Sequence, residues 1–216
     1  MVAPAAAQER LFAIDVLLEP DEKMLAEAGK WNEQLREQFA DGFSLDDTHR
    51  PHITLLQQYV AEEDLSEILA AIRSIAASED LEAMRLKANG LYHIPSGETG
   101  LQGITIEPSS EIMSLQEKVI EAMAPFREFG GGEAAFVPDP TGTPFDPYLF
   151  EYVDSFAEKQ TGDKFNPHVT TGVGPLDWVE AKETEPFESF EFGVTNLTVY
   201  RLGNFGTAAK PLLGQQ

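Results

Sequence analysis

The chain contains no cysteine, which excludes disulfides, thiolate metal sites and nucleophilic thiols. Long apolar runs are missing too. No stretch approaches the ~18 to 20 consecutive apolar residues of a membrane-spanning helix, so the sequence reads as a soluble protein without a membrane span. Cations are scarce: 15 Lys and Arg stand against 37 Asp and Glu, a formal net charge of −22. A field of that sign repels polyanions at long range, which argues against a long nucleic acid tracked along its backbone. Screening confines the field to about 8 Å at physiological salt, so a locally basic cleft could still take a small phosphate-bearing ligand or a strand end. The first residues, "MVAPAAAQER", place small side chains before Gln8 as a signal-peptidase site does, but lack the basic and apolar regions of a signal peptide. Residues 1–8 are therefore either a disordered Ala-rich terminus or a signal-peptide remnant. The first reading leaves a cytoplasmic protein and the second a periplasmic or secreted one.

What is present suffices for a core, since 42% of the 216 residues are apolar. "RLFAIDVLLEP" is a β-rich run ended by proline. "DEKMLAEAGKWNEQLREQF" follows with an acidic first turn and apolar residues at helical spacing. "PHITLLQQYV" predicts a strand, "AEEDLSEILAAIRSIAAS" a second helix and "LEAMRLKANGLYHI" another strand. The order then repeats: strand "LQGITIEP", helix "SSEIMSLQEKVIEAMAPF" capped by Ser109 or Ser110, strand "NPHVTTGVGP", a weaker helix at "LDWVEAKE" and a last strand "FGVTNLTVYRL".

Glu19-Pro20 matches Glu107-Pro108 at an offset of 88, whereas His52 matches His168 at an offset of 116. The second half must therefore carry an insertion before its histidine, and the Gly/Pro-rich segment at about 129–165 supplies it, with a short helix near "YLFEYVDSF". We read residues 9–212 as one bilobal domain, with a first half at about 10–95 and a second at about 99–203. The insertion is either a lid over the second histidine or a decorative loop.

The two halves share a phrase, "RPHITL" at 50–55 and "NPHVTT" at 166–171. On a strand, residues i and i+2 share a face, so His52 presents its imidazole beside the Thr54 hydroxyl, and His168 beside that of Thr170. If the two strands face each other, a tetrahedral phosphate fits between the imidazoles. One neutral ring takes a proton from a nucleophile while the other, protonated, gives one to the leaving oxygen. The threonines donate to non-bridging oxygens as charge develops. The residues leave open which histidine is acid and which is base.

Two strand-borne H-x-T motifs, "HIT" and "HVT", one per half, resemble those of the 2H phosphoesterase superfamily, which includes the 2′-5′ RNA ligase and cyclic phosphodiesterase (LigT-like) proteins. The likeness runs from about Arg10 to Pro211 by element order. It implies an α/β (α+β) fold: a bilobal, duplicated arrangement of two pseudo-symmetric antiparallel-rich sheets, flanked by helices around a central cleft. It also implies attack on 2′,3′-cyclic phosphates or 2′-5′-linked nucleotides or RNA ends without metal or cofactor; the chain is expected to be a monomer. By motif match the catalytic histidines fall on His52 and His168, and the phosphate-binding hydroxyls on Thr54 and Thr170. The second motif departs slightly, continuing with Thr171-Gly172 where the pattern prefers an apolar residue. The rival expectation is a non-catalytic module that binds a nucleotide or a protein on the same fold.

The acidity tilts the expected substrate toward small cyclic nucleotides and oligonucleotide ends. Arg50, Lys164 and Arg201 are the candidate cleft cations, and Phe145, Tyr148 and Tyr152 are candidate base-stacking aromatics. His49 with His52 suits a metal poorly, because i, i+3 spacing belongs to a helix and Pro51 begins a strand. "GGGE" at 130–133 lacks the lysine and helix of a phosphate-binding loop.

Overall fold

Among the described residues, seven antiparallel strands form one hydrogen-bonded array, against which five α-helices pack. The computed structural model describes residues 10–139 and 142–213; the terminus at residues 1–8 lies outside the described residues. In chain order the elements are β1 (Leu11–Pro20), α1 (Glu22–Gln38), β2 (Ile53–Ala61), α2 (Leu65–Ser78), β3 (Arg85–Ser96), β4 (Thr99–Ile106) and α3 (Ser110–Met123). The remainder are α4 (Pro147–Lys159), β5 (His168–Pro175), α5 (Leu176–Thr184), β6 (Phe190–Leu202) and β7 (Ala208–Pro211). Local chemistry sets the boundaries. Asp21 accepts from the backbone N–H groups of Lys23 and Met24 at the start of α1, Ser109 from Ile112 at the start of α3, and Asp146 from Tyr148 at the start of α4.

The strand order is β2-β1-β6-β3-β4-β5, with β7 against β6. Each arm thus sets a histidine strand beside a first strand, and beside that the last strand of the other half of the sequence. The two expected sheets are the arms of one array. Four residue pairs, from Arg85 with Gly193 to Ala88 with Phe190, join β3 to β6 at its centre. Helices cross as well, for α1 packs on β5, and α3 packs on β2.

On β1 the even positions Phe12, Ile14, Val16 and Leu18 face the helices and join the main core with Ile68, Ile72, Leu115 and Val119. The odd positions face the concave side of the array. There Ala13, Tyr59 and Leu202 pack with Phe136, Phe145, Leu149 and Val153 of the insertion. The Arg201 guanidinium donates to the carbonyls of Ala134, Ala135 and Phe136 at 2.7–2.9 Å. Phe136, Phe145, Leu149 and Val153 of the insertion are thus held against the sheet as part of the core, where their apolar surface is removed from water.

Candidate active site

The outermost strands β2 and β5 lie at opposite ends of the array, yet their Cα atoms approach within 8 Å. The array is curved, and the curvature brings the two histidine phrases face to face. Both strands also carry a β-bulge directly after the motif threonine. The register of β1 passes from Val16–Leu56 to Leu17–Thr54, leaving Leu55 as the extra residue. On β4 it passes from Gln102–Gly172 to Gly103–Thr170, leaving Thr171. A bulge leaves a carbonyl without its ladder partner. The Leu55 carbonyl accepts from Gln116 Nε2 of α3 at 3.0 Å, and the Thr171 carbonyl from Asn32 Nδ2 of α1 at 2.9 Å. The crossed helices thus supply what the bulges lack.

His52 precedes β2, and its Nδ1 lies 2.6 Å from the Arg50 carbonyl; His168 opens β5, with Nδ1 2.7 Å from the Asn166 carbonyl. A carbonyl only accepts, so the hydrogen-bond network assigns Nδ1–H to both rings and leaves Nε2 as the working nitrogen of each. Each carbonyl belongs to the residue two before its histidine, held there by Pro51 and Pro167, which fix the approach to the strand.

Asp15, fully buried on the concave side of β1, separates the two environments. Its Oδ2 accepts from Thr54 Oγ1 at 2.7 Å and from Gln57 Nε2 at 3.0 Å, and lies 3.5 Å from His52 Nε2. The bulge at Leu55 turns Thr54 and Gln57 to this same face. Burial alone would lower the His52 pKa, but Asp15 and the Arg50 carbonyl outweigh it and raise the imidazole above its ordinary value. His168 is held below its ordinary value. Burial dominates there, and the charge on His52 adds to it against the smaller opposing pull of the Asn166 carbonyl and Asp15. One ring is biased to hold a proton and the other to lack one.

The Tyr92 ring leans on His168, with centroids 4.5 Å apart and planes at 56°. Gly103 opposite makes this contact feasible, since a Cβ there would collide with Tyr92 Cε1. The Tyr92 hydroxyl is buried beside Thr170 without a hydrogen bond of good geometry. Burial, with smaller help from Asp15 and Tyr148, raises the Tyr152 hydroxyl pKa, and it stays a neutral donor within electrostatic reach of Asp15.

All four predicted site residues are partly exposed; Thr54 and Thr170 stand between buried strand neighbours, and His52 and His168 are each followed by one. The other candidates are placed differently. Arg50 bonds the Tyr200 hydroxyl at 3.0 Å beside Glu19, Lys164 bonds the Glu158 carbonyl at 2.9 Å, and Arg201 serves the insertion. Phe145 is core, whereas Tyr148 is exposed with its ring 6.2 Å from that of Tyr152. His49 is bound within its loop by Thr48 and Asp46, and His93 pairs with Glu183 of α5. Reading the sequence alone missed Asp15, Gln57 and Tyr92. Asp15 did leave a signal, as a lone carboxylate within the apolar run "LFAIDVLLEP".

A family model described as the 2′-5′ RNA ligase superfamily matches residues 24–204. Among solved structures, TT0787 of Thermus thermophilus has the same fold, with a TM-score of 0.54 at 19% identity, covering 94% of this chain and 96% of that chain. Usb1 of Kluyveromyces marxianus is more distant, with a TM-score of 0.45 at 12% identity over 89% of this chain and 94% of that one. Its structure with uridine monophosphate gives 0.39 at 14% identity, over 81% and 76%. No curated protein matches.

Proposed function

Because the chain belongs to the 2′-5′ RNA ligase superfamily, whose model spans residues 24–204, we propose that it is a metal-independent phosphodiesterase acting on 2′,3′-cyclic phosphates or 2′-5′-linked nucleotides and RNA ends. The carrying observation is the pair of imidazoles, each fixed through Nδ1 to a carbonyl and biased to opposite protonation states. His168 is the base and His52 the acid.

In hydrolysis of a cyclic phosphate, a water oxygen attacks phosphorus as His168 Nε2 removes its proton. The bond from phosphorus to one ribose oxygen breaks, and His52 Nε2–H delivers a proton to that oxygen. The product is a phosphomonoester beside a free ribose hydroxyl, and the two rings exchange their protons through solvent before the next turnover. Thr170 donates to a non-bridging oxygen. Thr54 does so only once its hydroxyl turns away from Asp15. Tyr148 and Tyr152 offer ring faces to a base at the cleft edge.

The test is hydrolysis of 2′,3′-cyclic mononucleotides and short 2′-5′-linked oligonucleotides in excess EDTA. Turnover that survives the chelator and disappears in both His52→Ala and His168→Ala supports the reading. Turnover that EDTA abolishes and zinc restores replaces it with a metal enzyme, and none at all leaves a binding module.

A further inference from the structure

The proposed phosphate site has at its floor a buried carboxylate that, beyond biasing His52, takes no proton and makes no bond in the reaction. Asp15 is met by His52, Thr54 and Gln57 from the end of the loop before β2 and from β2 itself, by Tyr152 from α4, and electrostatically by His168 from β5. Its Oδ1 is buried without a hydrogen-bond partner. Arg50, Lys164 and Arg201 are committed to other partners. The cleft therefore offers one imidazolium and, 3.5 Å from it, one carboxylate. It carries no surplus of positive charge from these groups.

We propose that Asp15 is a specificity-determining residue: it makes the cleft accept singly charged phosphodiesters and reject doubly charged phosphomonoesters, including the reaction's own product. The proposal rests on the phosphodiesterase reading above and names the charge state that reading requires of the substrate. A cyclic or internucleotide diester carries one negative charge, which the His52 imidazolium balances. A monoester gains a second charge as its second ionisation, near pH 6, completes. That second charge finds no cation left and Asp15 in the same dry floor. Repulsion of that charge by Asp15 about 6 Å away, at an effective dielectric of about 20, is worth ~100-fold in affinity, and its attraction to the His52 imidazolium together with the cleft's solvent-facing side trims this toward ~10-fold. While Asp15 holds its hydroxyl hydrogen, Thr54 turns lone pairs rather than a donor to the cleft, which adds to the discrimination.

The test is calorimetric binding to His168→Ala, in which turnover of a cyclic phosphate is slowed ~10² to 10⁴-fold, and to His168→Ala/Asp15→Asn. Each is titrated with a nucleoside 2′,3′-cyclic phosphate and with the matching 2′- and 3′-monophosphates between pH 5 and 8. The ratio of monoester to diester affinity cancels protein titrations felt by both ligands. It should fall at least ~10-fold as pH rises through 6 in the parent, and stay within ~3-fold across the same range in Asp15→Asn. An equal fall in both proteins overturns the proposal. Should Asp15→Asn not fold, Asp15→Ser takes its place, and the parent series still decides: a ratio that stays level or rises overturns the proposal. If the parent binds neither ligand, the phosphodiesterase reading falls and the selectivity falls with it.

Discussion

Assigning His52 as acid and His168 as base predicts that the two histidines fail differently when the leaving group changes. Each Nε2 is free to transfer a proton because each Nδ1 is held by a carbonyl, at 2.6 Å from Arg50 and 2.7 Å from Asn166. Removing either ring from the reaction with a 2′,3′-cyclic nucleotide should cost ~10² to 10⁴ in kcat, equivalent to about 2.7 to 5.4 kcal/mol of barrier. A nitrophenyl phosphodiester, whose leaving group departs as a stable anion, needs no acid. On that substrate His52→Ala should retain activity within about tenfold of the native protein, while His168→Ala keeps its full deficit, because water must still be deprotonated. Initial rates for three proteins on two substrates, followed by nitrophenolate absorbance and by chromatography of the nucleotide, give the comparison. Rescue of His168→Ala instead of His52→Ala would reverse the assignment and with it the role given to Asp15. Equal deficits on both substrates would refute paired acid–base catalysis.

Three further outcomes are expected. The pH dependence of kcat/KM should be a broad bell. Activity rises as His168 loses its proton, at a pH below the usual histidine value because its pKa is lowered, and falls as His52 loses its own at a pH above that value, where its pKa is raised. A bell narrower than two unperturbed histidines would give counts against the Asp15 contact. Asn32→Ala and Gln116→Ala, each leaving a buried bulge carbonyl unpaired, should each lower stability by about 1 to 3 kcal/mol in urea unfolding and reduce activity by displacing the adjacent threonine. Unchanged unfolding midpoints would show that water or backbone replaces the amides. Gly103→Ala would drive a methyl into Tyr92 Cε1, so the ring must move off His168. A stability loss of about 1 to 3 kcal/mol and slower turnover should follow, with thermal melts and initial rates as the readout.

Much of the fold was legible in the sequence, because helices and strands follow local periodicity and their ends follow local caps. α1 begins at Asp21 and α3 at Ser109 for reasons confined to a few residues. The doubled phrase singled out His52, Thr54, His168 and Thr170 as candidates, and the difference in offsets led to the expectation of an insertion at about 129–165. β7, short and without alternation, gave no such signal. The exchange of last strands between halves was equally silent, since β6 is apolar enough to pair with β1 or β4 and only the assembled sheet chooses.

At the candidate site, the chain alone singled out the residues proposed to carry chemistry, and the tertiary structure decides what surrounds each of them. His52 and His168 sit in nearly identical phrases, and nothing within either phrase separates acid from base. The difference in their surroundings comes from Asp15, which stands 37 positions before His52 on another strand and reaches only one of the two rings closely. The counterpart of Asp15 at the offset of 88 is Gly103, where Tyr92 fills the space beside His168 with an apolar ring. A carboxylate favours imidazolium and a dry aromatic contact favours neutral imidazole. Sequence could fix the two rings, but their charges depend on what long-range pairing places within a few ångströms of each.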